Sequence, residues 1–149
     1  MDDKPKKLAV EHRGSIGYAL ARAHNMFRAR MTAALDGETI HLGHVVLLSS
    51  LFGKNDQTQT ELTQTSGIEK SSVVLFLDFL EKDGWLERRR HPTDRRAHHV
   101  HLTDAGRKRF IRIGKKLAAA QTKALAGFSP TDQAKLEQLL IKLIRSLGG

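Results

Sequence analysis

Apolar residues recur at spacings of three and four over nearly the whole chain, and at a spacing of two in one short stretch. Ile16, Leu20, Ala23, Phe27, Met31 and Ala34 line one face of a helix that starts at Ser15 and stops at Asp36-Gly37. A second helix spans roughly Leu42 to Phe52; Val45, Val46, Leu47, Leu48 and Leu51 make its centre almost wholly apolar, so it is expected to be buried. Thr103 caps a long helix that carries Phe110, Ile113, Leu117, Ala120 and Ala124 on one face. Ser129-Pro130-Thr131-Asp132 opens a last helix with an N-cap, a proline and an acid in the first turn. Its apolar positions are Leu136, Leu139, Leu140, Leu143, Ile144 and Leu147. The exception is residues 85–102. Trp85 to Arg90 is short, His91-Pro92-Thr93-Asp94 turns, and Val100 and Leu102 then alternate with His99 and His101. Period two around a turn predicts a β-hairpin lying on an otherwise helical domain.

Between the second helix and the hairpin, Thr58 and Glu61 have the spacing of a capping box. A short helix to about Ser66, a turn at Gly67-Ile68 and a helix over 70–82 ended by Asp83-Gly84 follow. Two short helices joined by a glycine turn form a helix-turn-helix candidate. Val73, Phe76, Leu77 and Leu80 are expected to face its core.

Charge narrows the partners. Twenty-five Lys and Arg against 16 Asp and Glu leave a net +9, which points to an anionic partner, most simply nucleic acid. With no cysteine, the chain has no disulfide framework, no thiolate nucleophile and no Cys-type zinc site. No run of about 20 apolar residues spans a membrane, and Met1 to Lys7 is followed by no apolar signal core. The expectation is a soluble, cytoplasmic protein with no membrane partner. Residues 1–12 read as a flexible tail and 13–149 as one domain. Gly43, Gly53, Gly67 and Gly84 are isolated and build no phosphate cradle, and no nucleophile–base pairing or close carboxylate pair occurs. No enzyme activity, cofactor or metal is therefore expected.

The residues from Leu80 to Gly106 are specific in combination. Leu80-Glu81-Lys82-Asp83-Gly84-Trp85-Leu86-Glu87-Arg88, then Pro92-Thr93-Asp94-Arg95-Arg96, then Leu102-Thr103-Asp104-Ala105-Gly106 resembles the MarR family of transcriptional regulators. The stretch from Gly67 to Val74 is similar to its SlyA-like members. The resemblance covers roughly residues 13–147. It implies a mainly α, winged helix-turn-helix fold with a two-stranded β wing and long dimerisation helices. Residues 13–36 and 104–149 would form the dimerisation helices, and 40–103 the DNA-binding lobe. It further implies a homodimer on a near-palindromic double-stranded operator, more often a repressor than an activator, released by a small aromatic or phenolic ligand.

On this reading Lys70, Ser71, Ser72, Val74 and Leu75 of the recognition helix meet the major groove. Arg88, Arg89, Arg90, Arg95 and Arg96 arm the wing, with Asp94 orienting Arg96 as the minor-groove reader. Ordinary helix-start serines and a solvated arginine face are the plainer alternatives. Family members commonly carry basic or polar residues where this chain has Leu75 and Phe79. Either these two face thymine methyl groups or they pack against the domain, the latter favoured for Phe79. That departure motivates a rival reading: a dimeric ligand- or protein-binding module with weakened DNA binding. His91, His98, His99 and His101 read as polar wing surface, and His41 and His44 lie one turn apart. Arg107, Lys108, Arg109, Arg112, Lys115 and Lys116 read as mostly solvated. Ligand-contacting positions stay unassigned, His24, Phe27, Arg28, Val45, Leu48 and Trp85 being the candidates.

Overall fold

The computed structural model describes residues 15–90 and 98–148. The N-terminal tail expected over 1–12 and the wing-tip residues Asp94, Arg95 and Arg96 lie outside them. The elements run α1 (Ile16–Ala34), α2 (Leu42–Gly53), β1 (Gln57–Thr58), α3 (Gln59–Ser66), α4 (Lys70–Lys82), β2 (Leu86–Arg90), β3 (His98–Leu102), α5 (Asp104–Ala124) and α6 (Pro130–Ser146). Each helix starts where a side chain can satisfy its first N–H groups, save one. Ser15, Thr58, Thr103 and Ser129 cap α1, α3, α5 and α6, and Thr58–Glu61 and Ser129–Asp132 close reciprocal capping boxes. The cap of α2 is unusual in being built from histidines. The His41 side chain accepts from the Gly43 N–H, and His44 Nδ1 accepts from the His41 N–H at 3.1 Å.

The hairpin forms at the expected place, with Leu86 opposite Leu102 and Arg90 opposite His98. It is not alone. The two residues of β1 pair with the far side of β3, Gln57 with Val100 and Thr58 with His99, so the sheet is three-stranded in the order β1-β3-β2. The wing itself is the expected two-stranded hairpin, and β1, whose Thr58 also caps α3, adds a third strand to its sheet. Gln57 is buried, and its amide donates to the carbonyls of Ser50 and Lys54, which closes the end of α2.

One core joins these pieces. Leu47, Leu48 and Leu51 of α2, Leu62 of α3, Val73, Leu77 and Leu80 of α4, Trp85, Leu86 and Val100 around the sheet, and Ile113 of α5 are buried together. Among the described residues no buried side-chain nitrogen or oxygen lacks a partner, and no helix is long and apolar enough to cross a membrane. α1 lies along α5. α6 has no buried residue, although its apolar positions fall on one face as expected.

Candidate nucleic-acid interface

The turn between α3 and α4 depends on Gly67, whose φ of +65° is the left-handed region that other residues avoid. It aims the N-terminus of α4 outward beside a groove lined by Gln59, Thr60, Thr63, Gln64 and Lys70. Of the described helices, α4 alone has an N-cap residue, Glu69, that makes no side-chain capping bond. Its first-turn N–H groups, with Lys70 beside them, therefore suit an anion. Val73, Leu77 and Leu80 hold the inner face of α4 in the core. Lys70, Ser71, Leu75 and Asp78 are exposed on the outside, and Ser72 and Val74 are half-buried between the faces. Leu75 is 67% exposed. Phe79 is exposed at one edge, but its ring lies 4.8 Å from that of His44.

His44 packs between Phe76 and Phe79, ring centroids 4.7 and 4.8 Å away. Burial pushes its pKa down to about 4, with the neighbouring His41 lowering it further. It is therefore neutral at pH 7, with Nδ1 free to act as the capping acceptor.

The wing arginines divide. Arg88 is turned onto α4, where its guanidinium donates to Asp78 at 2.6 Å and to Glu81. The Arg88 N–H donates to Glu81 as well, at 3.0 Å. Arg88 therefore braces β2 against the recognition helix, and its guanidinium is occupied by two carboxylates. Arg89 pairs with Glu87 on its own strand, and Arg90 is exposed at the end of β2. On β3, His99 and His101 both turn toward Asp56, His101 Nε2 at 3.2 Å, while Asn55 accepts from the Leu102 N–H. The loop before β1 is thus bound to the base of the wing.

Of the basic run on α5, Lys108, Arg112, Lys115 and Lys116 are exposed, as expected, but Arg109, Arg112 and Lys116 also hold acidic partners. Arg109 donates to the carbonyl and the carboxylate of Asp83, both at 2.9 Å, and stacks 3.9 Å over the Trp85 ring. Asp83 also accepts from Trp85 Nε1 and Thr39, and these donors, Arg109 first, lower its pKa. Arg112 donates twice to Glu38, at 2.8 and 3.0 Å, and Lys116 donates to the same carboxylate. Those hydrogen bonds hold Glu38 at a pKa of about 2. Arg107 lies over Phe52. Asp83 is the residue that sequence reasoning passed over: a helix-end acid that joins the loop after α1, the recognition helix, the wing and α5. The ligand candidates are not brought together. His24, Phe27 and Arg28 are exposed on α1, whereas Leu48 and Trp85 are buried in the core.

A helix-turn-helix whose second helix is exposed along one face and followed by a β wing defines a winged-helix protein. The MarR family model matches residues 40–98, the whole of that lobe up to the start of β3. Solved structures extend the likeness over the full fold. The CouR transcriptional repressor bound to a 23-mer DNA duplex is 27% identical, with 93% of this chain and 99% of that one covered at a TM-score of 0.85. A mutant MarR from E. coli complexed with operator DNA is 20% identical over 91% of this chain and 99% of that one, TM-score 0.80. The PcaV regulator of Streptomyces coelicolor, in complex with its natural ligand, is 21% identical over 94% and 99%, TM-score 0.80.

Proposed function

We propose that this chain is a homodimeric, sequence-specific DNA-binding transcription regulator, acting as a repressor that a small aromatic or phenolic ligand releases. The observation that carries the reading is the outward start of α4, with no side-chain cap, beside a groove, followed by an arginine-bearing wing. In that arrangement Lys70, Ser71 and Ser72 meet phosphates and base edges, with Val74 and Leu75 beside them. Arg96, oriented by Asp94, reads the minor groove, Arg95 contacts DNA beside it, and Arg88 positions the wing against α4 rather than reaching DNA itself. CouR bound to a duplex and MarR with its operator support the DNA partner, and PcaV with its ligand supports release by a small molecule.

Dimerisation rests on the apolar face of α6. Leu139, Ile144 and Leu147 are 55, 56 and 76% exposed, and Ile16 at the start of α1 is 75% exposed. So much apolar surface on two helices suits a self-complementary two-fold interface. The dimerisation helices are then residues 13–36 and 104–149, and the DNA-binding lobe is 40–103. A two-fold dimer presents its recognition helices to successive major grooves of a near-palindromic operator. A ligand that binds one spacing of the lobes better than the other shifts the dimer between DNA-competent and incompetent states.

The test is Arg96→Ala, read by DNA binding. Specific binding is lost if the wing reads the minor groove. Unchanged binding favours the rival, a dimeric module that recognises a ligand or protein and touches DNA weakly.

A further inference from the structure

The recognition helix has an unusual outer face. Its sequence, from Lys70 to Lys82, contains no arginine, asparagine or glutamine, and its two lysines stand at the ends of the helix, so no side chain between them can grip guanine or adenine through two hydrogen bonds. Asp78, which could accept from cytosine, is occupied by Arg88 at 2.6 Å. At the centre of the outer face, one turn after Ser71 and one turn before Asp78, stands Leu75, 67% exposed. The inner face is already filled by Val73, Leu77 and Leu80, each fully buried, so folding leaves Leu75 outside. In the major groove one base group is apolar, the C5-methyl of thymine.

We propose that Leu75 is the specificity-determining residue of α4, and that it reads thymine by burying that methyl group. The inference rests on the DNA-binding reading above. Each half-site of the operator then carries a thymine under Leu75, flanked by bases contacted through the Ser71 and Ser72 hydroxyls, which accept or donate to any base. The affinity comes from Lys70, the wing and the phosphates, and the discrimination from shape and one methyl per half-site. A leucine in place of a polar reader changes what is read, in this account, and does not abolish reading.

The test starts from duplexes that the full-length protein selects from a random-sequence pool. Each thymine of the selected site is replaced in turn by deoxyuridine, which keeps the base pair and removes the methyl. Binding is measured by fluorescence anisotropy for the wild-type protein and for Leu75→Ala, whose site is exposed and whose new residue favours helix. One symmetry-related thymine pair is expected to be sensitive. Its replacement weakens wild-type binding about fourfold per methyl, or about fifteenfold for both half-sites. In Leu75→Ala the same replacement changes binding less than twofold. Indifference of the wild-type protein to deoxyuridine at every position overturns the inference while leaving specific DNA binding intact. A penalty that persists in Leu75→Ala overturns it too. If no sequence is enriched from the pool, the DNA-binding reading fails, and this inference with it.

Discussion

Arg109 on the long helix α5 grips Asp83 at the end of the recognition helix with both arms of its guanidinium, at 2.9 Å to the carbonyl and 2.9 Å to the carboxylate. The same guanidinium covers the indole of Trp85, whose N–H donates to that carboxylate. The joint ties the helix that packs on α1 to the helix that faces outward. Arg109→Ala is expected to cost about 2 kcal/mol, since it removes charge-assisted hydrogen bonds and bares a carboxylate. Thermal melting should fall by about 6 °C. Arg109→Lys should recover little, because a single ammonium cannot reproduce the fork or the stacking.

Gly106 lies against the backbone of Trp85. A Cβ there would stand 1.9 Å from the Trp85 carbonyl oxygen, a backbone atom that cannot step aside. Gly106→Ala should destabilise by about 3 kcal/mol, by forcing α5 away from the base of the wing. Gly114→Ala, on the same helix with no atom near its added methyl, should be neutral or stabilising. Urea unfolding of the two variants separates contact from glycine content.

His44 predicts an acid-labile fold. Its pKa falls from 6.5 to about 4 on folding, because burial among Phe76 and Phe79 penalises the charged ring. Above pH 6.5 both states are neutral and no effect is expected. Between pH 6.5 and 4 the unfolded chain takes up a proton that the folded one refuses, so stability declines by up to about 3 kcal/mol. His44→Asn keeps an acceptor for the His41 N–H and removes the titration. Its stability should be flatter across this window in urea titrations at stepped pH, with His41 the titratable neighbour that remains. Glu38 acts in a lower window. Its pKa is depressed by Arg112 and Lys116, so its contribution is present above pH 4.5 and is lost toward pH 2.

The local grammar of the fold is legible in the chain. Thr58 and Glu61 announce their capping box, Gly67 and Gly84 their left-handed turns, and Val73, Leu77 and Leu80 the buried face of α4, because each signal acts within one helical turn. Long-range pairings are not. Nothing near Arg109, Arg112 or Lys116 says that Asp83 or Glu38 waits for them, since the partners lie 26 to 78 residues away. Arg88 looks like its arginine neighbours until α4 brings Asp78 and Glu81 beside it. The strand β1 is two residues long and carries no period to detect, and the His41–His44 cap uses a residue type that rarely caps. For Leu75, exposure follows from counting faces of a helix, but its partner does not. Asp94, Arg95 and Arg96 stand on the motif alone.

The central claim, specific recognition of DNA, is tested most directly by fluorescence anisotropy with the purified protein. Two duplexes are compared over a salt series: the intergenic DNA upstream of its own gene, and a scrambled sequence of the same composition. The account predicts binding about a thousandfold tighter to the upstream duplex, weakening linearly in log Kd against log salt as phosphate contacts release counterions. Equal affinity for both duplexes at every salt concentration, or no binding to either at low salt, would contradict it.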